Sequence, residues 1–150
     1  MSRSLSIAIF TLASSTYFAG TTMPARSLPS VVLAARTMYV DNQTGIESLT
    51  AKACSELKVW RRYSVVTDAA KADITLTIST QTRMDPDSDE EEGDITLQIL
   101  IPHNDIPQFS YSQHTRVRFM EAEVGKSIKL LRKRIEEQER GRVAPISNMH

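Results

Sequence analysis

The 150-residue chain has one cysteine and three histidines, so it closes no intramolecular disulfide and cannot assemble a structural zinc site of the usual ligand count. Five glycines leave little material for phosphate-cradling loops, and the sequence holds no G-x-S-x-G, Walker loop, G-x-G-x-x-G, H-E-x-x-H or paired C-x-x-C. Eighteen basic residues balance eighteen acidic ones, which leaves no net field to attract nucleic acid or an acidic membrane. No apolar run reaches the roughly 18 to 20 residues that cross a bilayer. Stapled scaffolds and zinc fingers are thereby excluded, and a polyanion partner has no support from overall charge. What remains, 41% hydrophobic and 24% charged, is a globular composition of single-domain length.

The first residues differ in kind from the rest. Arg3 is followed by a short apolar run from Leu5 to Ala13 without an acidic residue, and the run dissolves into Ser14-Ser15-Thr16. That is the layout of a cleaved secretory leader, with small residues at Ala25 and Ser27 giving a cut after Ser27 and Ala19-Gly20 an earlier alternative. Removing Arg3 and Arg26 with the leader leaves 16 basic residues against 18 acidic, a mildly acidic mature protein. No cysteine stands at the junction to carry a lipid, so no stable membrane anchor is expected after cleavage. The expected organisation is a leader over 1–27, a linker over 28–35, a domain over 36–141 and a disordered tail over 142–150. The compartment is secreted or periplasmic, and Cys54, on a predicted helix, is expected to be buried there as an unreactive thiol.

Within the domain, Arg36 to Asp41 reads as a strand rich in β-formers, and Asn42 to Gly45 as a turn. Thr44 and Glu47 have the spacing of a capping box, which predicts a helix from Gly45. Its stripe Ile46, Leu49, Ala53, Leu57 and Trp60 repeats every three or four residues. Trp60 reads as a core plug at the helix end, with a ligand-stacking platform as the sharper alternative. Tyr63 to Thr67 is a second strand, parallel to the first through the helix. Ile74, Leu76 and Ile78 alternate with Thr75, Thr77 and Ser79, and Ile95, Leu97, Ile99 and Ile101 repeat the pattern, so each strand has one apolar face. A fifth strand runs from Phe109 to Phe119 and pairs antiparallel with the fourth across Pro102 to Pro107. A final helix covers Glu121 to Arg140 with Val124, Ile128, Leu131 and Ile135 buried and Gly141 as its stop.

The expected fold is therefore an α/β two-layer sandwich of order β-α-β-β-β-β-α, a five-stranded mixed sheet with both helices on one face. The other face carries Thr75, Thr77, Ser79, Thr96, Gln98, Ser110, Ser112, His114 and Arg116, and is open to solvent or a partner.

Three local patterns invite chemistry. The acidic loop 85–94 has the alternating carboxylates of a calcium loop, with Asp87 and Asp89 as candidate ligands, yet Glu90 stands where that loop needs glycine and Thr96 where it needs a bidentate glutamate. A solvated hairpin tip is the plainer reading. Ser110, Ser112 and His114 share a strand face with Asp105 near in sequence, the residue types of a hydrolase triad. Neighbours two apart on a strand stand about 7 Å from each other, whereas a nucleophile and its base must touch. The basic run Lys126, Lys129, Arg132, Lys133 and Arg134 is followed by Glu136, Glu137 and Glu139, the composition of a solvated helix face with ion pairs. No catalytic residue, cofactor or metal ligand is assigned.

Arg36-Thr-Met-Tyr-Val-Asp41, Ser55-Glu-Leu-Lys-Val-Trp60, Tyr63-Ser-Val-Val-Thr-Asp68 and Lys71-Ala-Asp-Ile-Thr-Leu76 together resemble small secreted bacterial envelope proteins. These look like the amino-terminal domain of TolB and the LpoB and CsgG domains, a likeness that covers about residues 35 to 140. The resemblance implies an assembly or accessory module without catalytic residues, in which Asp73 is a turn residue at the start of a strand. The expected function is a non-enzymatic envelope interaction module that engages an envelope protein through its open sheet face or edge. The alternative is a small hydrolase or metal-dependent enzyme using His114 with Ser110 or Ser112, or the acidic loop.

Overall fold

The computed structural model describes residues 26–143. Apart from Arg26 and Ser27, the expected leader lies outside the described residues, as do residues 144–150 of the expected tail. The elements are α1 (Ser30–Ala34), β1 (Thr37–Asn42), α2 (Glu47–Trp60), β2 (Ser64–Val66), β3 (Ile74–Met84), β4 (Glu91–Ile101), β5 (Asn104–Arg116) and α3 (Met120–Val143). One five-stranded sheet has the order β2-β1-β3-β4-β5. β1 runs parallel to both β2 and β3, and β3, β4 and β5 are antiparallel neighbours. The mixed α/β sheet with helices agrees with the sequence reading.

Register and the two-residue period of a strand fix which side chains enter the core. Met38 pairs with Ile74 and Val40 with Leu76. Leu76 in turn pairs with Ile99, and Ile99 with Phe109, so one face is apolar across four strands. Leu49, Ala53 and Leu57 of α2 and Met120, Val124, Ile128, Leu131 and Ile135 of α3 are buried in the same cluster. Burying each large aliphatic side chain contributes about 1.5 to 3 kcal/mol, and this layer holds most of them.

Several local expectations are corrected. The linker over 28–35 is part of the domain: it carries α1, and Leu28, Val32 and Ala35 are buried in the core. The capping box does not form, because Ile46 occupies the N-cap with no side-chain cap bond and α2 starts at Glu47. Thr44 Oγ1 instead accepts from Ile46 N at 3.0 Å, and Asn42 organises the turn, accepting from Thr44 N at 3.0 Å and donating to Ile46 O at 2.8 Å. Gly141 does not stop α3, which continues to Val143.

β5 begins at Asn104, not Phe109, because the hairpin needs only Pro102 and His103, with Ile101 opposite Asn104. Proline fixes the first turn position, His103 takes the positive φ of 62°, and Pro107 is tolerated because β5 is an edge strand. The strand ends at Arg116 and Val117–Phe119 forms a 3-10 turn into α3. Gly93 faces the covered side opposite Thr82, where any side chain would collide with the Gln81 carbonyl of β3.

Candidate functional site

The face of the sheet away from the helices is assembled by the same register. Asp41 lies beside Thr77, Thr77 opposite Gln98, and Gln98 opposite Ser110, forming a polar row across β1, β3, β4 and β5. The next row is Ser79, Thr96 and Ser112, in which the Thr96 and Ser112 hydroxyls are 3.0 Å apart and hydrogen-bonded. Beyond it Gln81, Asp94 and His114 align. Neither α2 nor α3 reaches this face, and β5 ends the sheet, so its outer edge pairs with no strand among the described residues.

Thr77 departs from the solvent-facing role its alternation suggests. It is only 8% exposed, and its Oγ1 has no hydrogen-bond partner. A buried hydroxyl without a partner costs about 1 to 3 kcal/mol of desolvation. Strand alternation told its face but not its burial.

The residues of the hydrolase alternative are not brought together. His114 Nδ1 lies 2.9 Å from Asp94 Oδ1, and Nε2 lies 3.7 Å from Glu92 Oε2. Both ring nitrogens thus face carboxylates and neither faces Ser110 or Ser112. Asp105 stands near the opposite end of β5, about 30 Å along the strand from His114 at ordinary strand rise. The acid that does meet His114, Asp94, sits in the acidic run, and only the β4–β5 register reveals the pair.

The acidic loop is shorter than 85–94, since β3 extends to Met84 and β4 starts at Glu91. Asp85 closes the tip by accepting from Asp87 N at 3.0 Å and from Ser88 Oγ at 2.6 Å, and the Ser88 bond, followed by the Asp87 amide, holds its carboxyl below the usual range. The following carboxylates meet cations of neighbouring segments: Glu90 lies 2.9 Å from Arg116 and 3.2 Å from Arg118, and Glu92 lies 3.5 Å from Arg83. No group of three or more His, Cys, Asp or Glu side chains able to hold a metal occurs among the described residues. The carboxylates spread along two strands and a turn, so alternating sequence spacing does not become a cage.

The remaining sequence candidates have structural places. Asp73 Oδ2 accepts from Arg36 N at 2.8 Å and from Thr37 N at 3.0 Å, and these two amides, with the Thr37 hydroxyl, keep its carboxyl below its ordinary pKa. It ties the start of β3 to the start of β1. Trp60 packs edge-on against Tyr63 with ring centroids 5.2 Å apart and flanks the core. Cys54 is half-buried against the same cluster. Ion pairs run along α3, Lys126 to Glu123 at 2.6 Å and Arg132 to Glu136 at 2.7 Å. Glu123 is buried, held below its ordinary pKa by Lys126 and then by Tyr111, whose hydroxyl donates to it at 2.5 Å. Burial and then the Glu123 carboxylate push Tyr111 up to about 12.

Neither a protein-family model nor a characterised protein matches this chain. Solved structures do. The PelC dodecamer from Paraburkholderia phytofirmans is 13% identical with a TM-score of 0.46, over 73% of this chain and 93% of that one. A minor lipoprotein from Acinetobacter baumannii is 9% identical with a TM-score of 0.41, over 69% of this chain and 92% of that one. Uncharacterized lipoprotein B from Nitrosomonas europaea is 11% identical with a TM-score of 0.35, over 81% of this chain and 87% of that one. Two of the three are lipoproteins by name. At these scores the likeness assigns neither a family nor an activity. No helix among the described residues is long and apolar enough to cross a membrane.

Proposed function

We propose that this protein is a non-enzymatic accessory module of the bacterial envelope, exported to the periplasm or beyond, that binds a protein partner through its helix-free sheet face and the adjoining edge of β5. The leader-like first residues and the resemblance of the strand starts to TolB, LpoB and CsgG domains support the compartment. The observation that carries the binding reading is the contrast between the two ends of the sheet. β2 is a three-residue edge, whereas β5 presents a 13-residue edge with no strand beside it.

Natural sheets usually guard such an edge by shortness or by unpaired charge. In β5 the segment Gln108 to Gln113 has no charged residue, and the Arg116 that follows is paired within the fold by Glu90. An extended partner segment can add there by main-chain hydrogen bonds, with side-chain pockets setting specificity. The unpartnered Thr77 hydroxyl lies on the adjoining polar face, on β3, two strands in from the β5 edge.

The test is site-specific photo-crosslinking in the host's own cells. A photoreactive residue replacing Ser112 should trap one recurrent envelope protein, and one replacing Lys133 on α3 should not. Equal trapping at both positions, or recurrent trapping only from α3, rejects the reading.

A further inference from the structure

Residues 26–35 are held by side chains, not by a sheet or a long helix. Leu28 N donates to Gln138 Oε1 and Gln138 Nε2 donates to Leu28 O, both at 2.8 Å, so one amide side chain pairs both backbone groups of Leu28. Arg134 Nη2 donates to Arg26 O at 2.9 Å. Farther along, Tyr63 Oη donates to Val32 O at 3.3 Å, and Arg62 Nη2 donates to Leu33 O at 2.7 Å while bonding Glu139 at 2.7 Å. Leu28 is 2% exposed and Val32 fully buried. This strap ties the start of the domain to the last turns of α3, more than 100 residues away in sequence.

We propose that the Ser27–Leu28 peptide bond is a proteolytic processing site that is open only while this strap is undocked, so that docking of the strap closes the site to a peptidase. The inference rests on the export reading of the first residues. A peptidase needs its substrate extended and accessible over several residues on both sides of the bond. The docked strap offers the opposite, with the Arg26 carbonyl bonded, Leu28 paired on both backbone sides and its side chain in the core. Hydrolysis breaks the Ser27–Leu28 C–N bond, water supplies the hydroxyl of the Ser27 carboxyl group, and the released protons leave Leu28 with a terminal ammonium. That ammonium retains donors for Gln138 Oε1, so the processed chain docks in the same seat and the cut does not need to be reversed or compensated.

The full-length chain tests this without any identified peptidase, because trypsin reads the adjacent Arg26–Ser27 bond. Brief digestion of the folded protein is followed by peptide mass spectrometry, with hydrogen exchange of the Leu97 and Ile99 amides as the control for the fold. Gln138→Ala, a substitution favourable to helix, should speed cleavage at Arg26–Ser27 by about tenfold, the effect of losing roughly two hydrogen bonds, with the core amides unchanged. Arg134→Ala should speed it by a smaller factor. Equal rates in the wild type and Gln138→Ala overturn the proposal. If Gln138→Ala also loosens the core amides, the Leu28 amide of the wild type decides: exchange slower than that of Ser27 by about tenfold supports the strap, and equal exchange overturns it. Amino-terminal sequencing of the exported protein separately tests the leader, so a different cut with a protected strap would reject the export site alone.

Discussion

The two faces of one sheet are built from the same strands with opposite rules. On the helix side Ile95, Leu97 and Ile99 are fully buried and apolar, and their sequence neighbours Thr96 and Gln98 point the other way into a field of hydroxyls and amides. A single strand of β4 thus serves two purposes, and a one-residue step along it changes which purpose is touched. The covered face holds the fold together. The open face, where Thr77 is buried without a partner and His114 is hydrogen-bonded to exposed Asp94, contributes little to stability.

Substitutions can break that contrast, and the largest effects are expected on the covered face, at Gly93 and Leu97. Gly93→Ala forces a methyl group into the β3 backbone and should destabilise the domain by about 3 kcal/mol, read as a drop in denaturation midpoint. Leu97→Ala, which empties a fully buried site, should cost about 2 to 5 kcal/mol in the same assay. Tyr111→Phe removes the donor that meets buried Glu123 and should cost about 1 to 2 kcal/mol. On the open face the sign changes. Thr77→Val removes a buried unpartnered hydroxyl and should be neutral or stabilising by up to about 1 kcal/mol. Asp94→Asn, which weakens an exposed pair, should change stability by less than about 1 kcal/mol.

Acid sharpens the contrast further. The Asp73, Glu123 and Glu139 carboxyls are all held below their ordinary pKa by partners in the fold, Asp73 by the Arg36 and Thr37 amides, Glu123 by Lys126 and Glu139 by Arg62. Depressed carboxyls stabilise the folded state above their unfolded pKa and lose that contribution as pH falls through the folded value. Melting temperature should therefore be flat near neutrality and fall below about pH 4. In Asp73→Asn the acid-dependent part should shrink.

Much of this was legible in the residues themselves. Period-2 alternation in Ile74–Ile78 and Ile95–Ile101 placed two strands and their buried sides, and the stripe Val124, Ile128, Leu131 and Ile135 placed α3. What stayed hidden depended on contacts across long sequence separations. The strap over Leu28 and Val32 reads as a linker because its backbone is satisfied by Gln138, Tyr63 and Arg62, not by local periodicity. His114 pairing with Asp94 follows from register, and Thr44 next to Asn42 shows a cap signal redirected by a stronger local turn. Short motifs gave residue types correctly and partners poorly.

Leu97 and Gln98 provide the most direct test, as adjacent residues of β4 on opposite faces. Melting temperature and in-cell crosslinking from Ser112 would be measured together for Leu97→Ala and Gln98→Glu. The account predicts that Leu97→Ala lowers the melting temperature yet keeps the crosslink at a permissive temperature, whereas Gln98→Glu leaves the melting temperature unchanged and loses the crosslink. Full crosslinking in Gln98→Glu, with its stability intact, would contradict the assignment of the open face to binding.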